Sequence, residues 1–384
     1  MSKLKLLGLI KTAIWEQGNI DVDEDVYIEM KQHAIVALPA NILSTLKMSD
    51  DLRENWQDDV LQHLSYNAKY KYAQNRLPIS VPYVILKGTA ASQYYPHPEY
   101  RTMGDIDIMT CREDFDAAYR DLEENGYTVT KELEREVLFK KNGIVIELHR
   151  YFASLNDPTA CKYLDDLIIE NINPSHVLPD LVNGLVLLEH ISQHLEHGLG
   201  LRQIIDWMMF VDKCLPDDVW PEFKPMAKSI GLERLASTTT KMCERYLGLP
   251  ERFWCSGADE TLCKDLMELV LSSGNFGNKW TSDEAVAKTV FTYIIGPIST
   301  IKWLQERGLV NWKAAQVFPV LRPFAWIYQG IRYAKRGIRQ EGSFSKLREE
   351  YDDAVKRTEL FRALGVKQKA NGLVIFRNGK YVKK

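Results

Sequence analysis

The sequence predicts an α+β fold, a small mixed or antiparallel sheet set between helical segments. Three observations carry that prediction. Between about residues 81 and 150, short β-branched and apolar runs alternate with turn residues. On either side of that window the apolar residues return at helical spacing. Asn142-Gly143 separates two apolar runs as a type I′ hairpin turn does.

Taken in order, residues 1–75 read as helical. The longest stretch there, Asp51 to Asn75, presents Leu52, Trp56, Val60, Leu64 and Leu61 as an apolar stripe. Pro78 and Pro82 end the helical pattern. VPYVILKG (81–88) then reads as a buried strand and a tight turn, and GTAASQYY as a helix stopped by Pro96 and Pro98. The run GDIDIMT forms the next strand. Thr110 and Glu113 have capping-box spacing, opening a helix through Phe115, Tyr119 and Leu122 that stops at Gly126. YTVTKEL, EVLFKK and IVIELHR follow as strands. Beyond Tyr151 the chain is helical again. Asp180, after Pro179, opens a helix to about Gly198, and LRQIIDWMMFVDKCL (201–215) opens another. Further helices are expected near 217–247, 258–273, 284–305 and 344–364, and Asn378-Gly379 marks a small terminal hairpin.

Composition excludes several classes. Of the 384 residues 26% are charged and 45% hydrophobic, with a net charge of −3, so broad nucleic-acid affinity is not expected. The six cysteines are scattered without a CxxC pair, which argues against a zinc site or a disulfide framework. Lysines at 3, 5 and 11 interrupt the first apolar run, so no signal peptide is read, and no run has the length of a transmembrane segment. A cytoplasmic location is expected.

The chemistry concentrates on one strand. Asp105 and Asp107 are two residues apart, so alternation places them on the same face while Ile106 and Ile108 face the core. At about 6.6 Å between Cα atoms both carboxylates can reach one cation. Two like charges on one strand face are costly unless a cation joins them. In IVIELHR, Ile144, Ile146 and Leu148 take one face and Glu147 the other, which offers a third carboxylate. Three such groups with water and phosphate oxygens suit Mg²⁺ or Mn²⁺. Gly88 and Thr89, between a strand and a helix, leave backbone N–H groups open to a phosphate, with Lys87 and Arg101 as nearby cations. For these two cations a surface salt bridge is the competing reading.

These residues resemble a known pattern. Leu86-Lys87-Gly88-Thr89, Asp105-Ile106-Asp107 and Ile146-Glu147-Leu148 resemble the nucleotidyltransferase superfamily that shares the polymerase-β fold. ILKGTAASQYYPHPEYRTMGDIDIM, IVIELHR and HISQHLEHGLGLRQIIDW look more closely like a family of largely uncharacterised bacterial nucleotidyltransferases, over roughly residues 50 to 215. The resemblance implies a polymerase-β-like mixed sheet with flanking helical segments. It implies that Asp105, Asp107 and Glu147 hold the catalytic metals, while Lys87, Gly88, Thr89 and Arg101 meet the nucleotide. The reaction implied is transfer of NMP from an NTP to an acceptor hydroxyl, with release of pyrophosphate. A non-catalytic nucleotide-binding interaction protein, or a toxin-like enzyme modifying tRNA or protein, are the alternatives. The expected organisation is an N-terminal helical segment (1–75), a catalytic domain (76–150), a helical domain (151–280) and a C-terminal helical region ending in a hairpin (281–384).

Three further features stay open between function and scaffold. His190, His194 and His197 fall at i, i+4 and i+7, giving a hydrogen-bonded polar helix face, a phosphate contact or a metal site. Arg202 and Asp206 are at i, i+4 in the less favourable order against the helix dipole, so they line the nucleotide cleft or bridge helices. Residues 312–340 carry Lys313, Arg322, Arg332, Lys335, Arg336 and Arg339 among aromatics with no acid. A basic solvent face is favoured there over RNA or membrane-surface contact.

Overall fold

The computed structural model describes residues 2–16, 20–280, 301, 304–305, 308–309, 311–339, 344–366, 374–377 and 380–383. These divide into two compact units, one of residues 1–279 with 374–384 and one of residues 280–373.

In the first unit, α1 (Ser2–Trp15) and α2 (Glu24–Gln32) precede a long α3 (Asp50–Gln74). Ser49 caps α3, its Oγ accepting from the Leu52 N–H at 3.4 Å. Leu52, Trp56 and Val60 are buried as the periodicity predicts, but Leu61 is 65% exposed. The buried face continues instead through Asn67, Tyr70 and Gln74, because α3 crosses from its neighbouring helices onto the sheet.

The strands are β1 (Tyr83–Leu86), β2 (Ile106–Thr110), β3 (Thr128–Glu132), β4 (Glu136–Lys141) and β5 (Ile144–His149). Among the described residues they form a five-stranded sheet in the order β1-β2-β5-β4-β3. β2 and β5 pair in parallel and the other neighbours are antiparallel. The fold class is therefore α+β, with a mixed sheet and flanking helices. Asn142 (φ 50°) and Gly143 (φ 79°) both take positive φ, as the β4–β5 hairpin turn requires. One sheet face carries Ile85, Ile106, Ile108, Phe139, Ile146 and Leu148 into a core closed by Phe115, Ala118 and Leu122.

Those last three residues belong to α5 (Phe115–Glu124). Its start differs from the sequence expectation. Thr110 is the last residue of β2, its hydroxyl donates to the Cys111 carbonyl, and a short 3₁₀ turn over Arg112–Asp114 leads into the helix, so no Thr110–Glu113 capping box forms. The end is as expected, with Gly126 at φ 80°.

After β1 comes the short α4 (Gly88–Ser92), and after β5 follow α6 (Pro158–Glu170), α7 (Asp180–His194), α8 (Leu201–Cys214), α9 (Trp220–Ser229), α10 (Glu233–Leu247) and α11 (Glu260–Ser273). α7 is buried on every side from Val182 to Ile191, so it has no solvated polar face. It is tied to α4 by Asn183, whose Nδ2 donates to the Ala90 carbonyl at 2.8 Å and to Tyr94 Oη at 2.9 Å. Gly184 allows α8 to approach, since a Cβ there would lie 2.2 Å from the Phe210 ring. Gly184→Ala is accordingly expected to lower stability by about 1–3 kcal/mol through overpacking, read as a lower denaturation midpoint.

The second unit contains α12 (Lys313–Val317), a 3₁₀ turn (Pro319–Phe324), α13 (Ala325–Arg339) and α14 (Phe344–Ala363). Trp312 stacks on Tyr328 at 5.0 Å, while Val317, Phe318, Val320 and Phe324 are exposed. The side chains of Lys335, Arg336 and Arg339 lie outside the described residues, as does almost all of the helix expected over 284–305. In the first unit, β6 (Val374–Arg377) and β7 (Lys380–Lys383) pair antiparallel as the terminal hairpin, whose Asn378-Gly379 turn is likewise outside the described residues. Among the described residues no helix is long and apolar enough to cross a membrane.

Candidate functional site

The sheet face opposite the apolar core carries the acids. In the parallel β2–β5 pair Asp107 is the register partner of Glu147, and Met109 of His149. Residues paired in register share a face, so Asp107, Glu147 and His149 stand together while Ile106, Ile146 and Leu148 face the other way. One ligand atom from each of Asp107, Glu147 and His149 lies within 4.8 Å of the others. Asp105 sits just before β2, where the chain is no longer in strand pairing, and its carboxylate accepts no hydrogen bond among the described residues.

Asp107 is 2% exposed, and the cation such burial demands is Lys87, whose Nζ lies 2.5 Å from Oδ1. The lysine takes this place because β1 ends at Leu86, opposite Asp107, and its own backbone turns to φ 52° at the entry to α4. Lys87 is itself buried, so the pair is internal and the surface salt bridge weighed from sequence is not formed. His149 Nε2 lies 3.0 Å from the same Asp107 oxygen and 3.8 Å from Glu147 Oε2. Its Nδ1 lies 3.3 Å from Glu136, which pairs with Arg135 at 3.1 Å. Glu136 reaches His149 because it is that residue's register partner on β4. Nδ1 makes no hydrogen bond to Glu136, so the ring is oriented by the Nε2 contact with the Asp107 carboxylate, which accepts.

The electrostatics are uneven. Burial alone would raise the Asp107 carboxyl, but Lys87 and His149 more than offset it and hold the group well below the usual carboxylate range. Glu147 is pushed up to about 9 by burial and by the Asp107 charge, and Asp105 up to about 6 by the same two causes. Burial would drive Lys87 down, yet the three surrounding acids raise it. Burial lowers His149, keeping the imidazole neutral and able to act as a ligand. For Asp105 and Glu147 the nearby cations do not offset burial and the Asp107 charge, as they do for Asp107.

The remaining predicted residues divide into two groups. Gly88 (φ 38°) opens α4, which is only five residues long and contributes little dipole. The Thr89 hydroxyl donates to Gln74 Oε1 at 2.8 Å and so faces α3. Arg101 is 4% exposed and makes a two-pronged contact with Asp206, Nε to Oδ1 at 2.8 Å and Nη2 to Oδ2 at 2.7 Å. Tyr95 Oη adds a third hydrogen bond to Asp206 at 2.8 Å. Asp206 therefore does not pair along its own helix with Arg202. It latches α8 to the segment that leads into β2.

Arg202 is left beside the acids. It is 7% exposed, its Nη1 donates to the Thr102 carbonyl at 3.4 Å, and its Nε has no hydrogen-bond partner. A Cβ on Gly104, next to Asp105, would lie 3.7 Å from Nη1. Burial and the neighbouring Arg101 lower its proton affinity. His190, also buried, meets His194 at 2.9 Å between Nε2 atoms, which needs one ring to donate and the other to accept. Burial, His194 and the charges of Lys87 and Arg202 hold His190 well below the ordinary histidine range. α7 ends at His194, so His197 falls in the following turn, exposed and off the shared helix face.

The sequence reading missed His149 and Glu136. Alternation along IELH already places His149 on the Glu147 face, whereas Glu136 needs the hairpin register. No curated protein and no solved structure matches the chain. A family model described as "Uncharacterised nucleotidyltransferase" matches residues 22–248, which include the whole acidic face, Lys87 and the α7–α8 pair, and with more than half its length so matched the chain belongs to that nucleotidyltransferase family.

Proposed function

We propose that the protein transfers a nucleoside monophosphate from an NTP to an acceptor hydroxyl, with Asp105, Asp107 and Glu147 as the metal-binding acids. The observation that carries this reading is the register of Asp107 against Glu147, which sets two carboxylates and an imidazole within 4.8 Å. The donor set fits a divalent cation. Two half-buried acids held above the usual carboxylate range gain a counter-charge, and Lys87 Nζ at 2.5 Å from Asp107 already marks a cation position. Carboxylates favour Mg²⁺ or Mn²⁺. A divalent ion bound there supplies charge neutralisation at the attacking and leaving oxygens.

The chain's own residues do the rest. Lys87 and Arg202 offset charge on the triphosphate, and Arg202 suits that role because it is a buried guanidinium with spare donors. His149, through Nε2 at 3.0 Å, helps fix the position of Asp107. His190, kept neutral by burial, and His194, hydrogen-bonded to it, stand at the same wall. The acceptor oxygen forms a bond to the α-phosphorus, the bond to the pyrophosphate oxygen breaks in line with it, and the hydroxyl proton is released to water.

Titration calorimetry with each NTP in Mg²⁺ or in EDTA tests the reading. Binding is expected only with metal and is expected to be lost in Glu147→Gln. Equal binding in EDTA, or Glu147→Gln binding Mg²⁺ and NTP as wild type does, would refute the site. Pyrophosphate release on adding candidate hydroxyl acceptors then reports transfer itself.

A further inference from the structure

Phe276 lies beyond the residues matched to the family, and it is unusual in two ways. Its ring is 58% exposed, and its backbone sits at φ 55°, ψ 30°, a left-handed conformation that is costly for a bulky side chain. The loop that holds it is seated by glycines. A Cβ on Gly198 would lie 2.0 Å from the Gly277 nitrogen, and one on Gly200 would lie 2.8 Å from the Asn275 Cα. Gln203 Nε2 donates to Asn275 Oδ1 at 3.0 Å. The α7–α8 turn and the 274–277 loop are therefore in backbone contact, directly beside Arg202.

The ring is held at that position. His194 meets it at 4.7 Å and 74°, and the Arg202 guanidinium lies 5.6 Å from its centroid. Arg202 in turn is buried beside Gly104 and has an unpartnered Nε. An aromatic ring whose neighbours are a spare guanidinium and an imidazole, and whose remaining surface meets solvent, has the makeup of a stacking platform next to a phosphate site.

Building on the proposed function, we infer that Phe276 stacks on the base of the bound NTP while Arg202 serves its phosphates. In-line transfer puts the acceptor opposite the leaving pyrophosphate, so a ring that touches the phosphate-binding guanidinium falls on the nucleotide's side. The strained backbone keeps the ring in place before the nucleotide arrives.

The test compares ligands with and without a base. Affinities of ATP, GTP, CTP and UTP and of inorganic tripolyphosphate, each with Mg²⁺, are measured on wild type, Phe276→Ala, Phe276→Leu and Phe276→Trp in the full chain. Phe276→Ala and Phe276→Leu are expected to weaken the tightest NTP about ten-fold or more and leave tripolyphosphate unchanged, with Phe276→Trp close to wild type. Equal losses for NTP and tripolyphosphate would overturn the inference, since the ring would then act only by screening Arg202. No loss for either would overturn it as well. If wild type binds no NTP, the proposed function fails first and takes this inference with it, whereas NTP binding that is indifferent to Phe276 removes the platform alone.

Discussion

Asp107→Asn is expected to remove metal-dependent nucleotidyl transfer, lowering the turnover number by about 10² to 10³ or more. Asparagine keeps the size of the side chain and an oxygen for Lys87 and His149, but it removes the charge that the Lys87 ammonium at 2.5 Å and the His149 imidazole at 3.0 Å face. The change falls where Asp107, Glu147 and Lys87 meet, so it alters the cation site without opening a cavity. Alanine would be a poorer choice, because it leaves Lys87 as an unpaired buried charge. Steady-state pyrophosphate release, with Mg²⁺ binding measured in parallel, gives the answer. Turnover within a few-fold of wild type would mean that Asp107 is only the counter-ion of Lys87.

Asp206→Ala carries the largest expected loss of stability, about 3–5 kcal/mol in urea unfolding followed by circular dichroism. It strips the Arg101 guanidinium of both carboxylate contacts and the Tyr95 hydroxyl of its acceptor, with Arg101 at 4% and Asp206 at 1% exposure. A buried guanidinium without its partner is the source of the loss. Replacing the whole group with apolar side chains, Arg101→Met/Asp206→Leu/Tyr95→Phe, is expected to restore much of the stability, because the cost lies in leaving one partner behind. An unfolding midpoint unchanged in Asp206→Ala, together with lost NTP binding, would return Asp206 to the nucleotide site and refute its role as a latch.

The local elements were readable because their signals are local. The Asn142-Gly143 turn, the alternation of Ile144, Ile146 and Leu148 against Glu147, and the start of α7 after Pro179 each depend on a few neighbouring residues. Readings failed where the chain had two uses for a residue. Thr110 has the spacing of a helix cap but is consumed by strand β2, and Leu61 has helical spacing but faces outward where α3 changes partner. His197 has the right spacing, yet the helix ends before reaching it.

The candidate site divides along the same line. By itself the sequence determined that Asp107 and Glu147 lie on strands, with Asp105 at the entry to one, as polar exceptions to an apolar pattern, because side-chain alternation follows from backbone geometry alone. Only the tertiary structure decided which charges meet. Parallel pairing of β2 with β5 set Asp107 opposite Glu147, the end of β1 delivered Lys87, and β4 brought Glu136 behind His149. Packing of α8 gave Asp206 to Arg101, a residue 105 positions away, and left Arg202 with donors to spare. Charge pairing depends on distance through space and on burial, and neither is encoded in spacing along the chain.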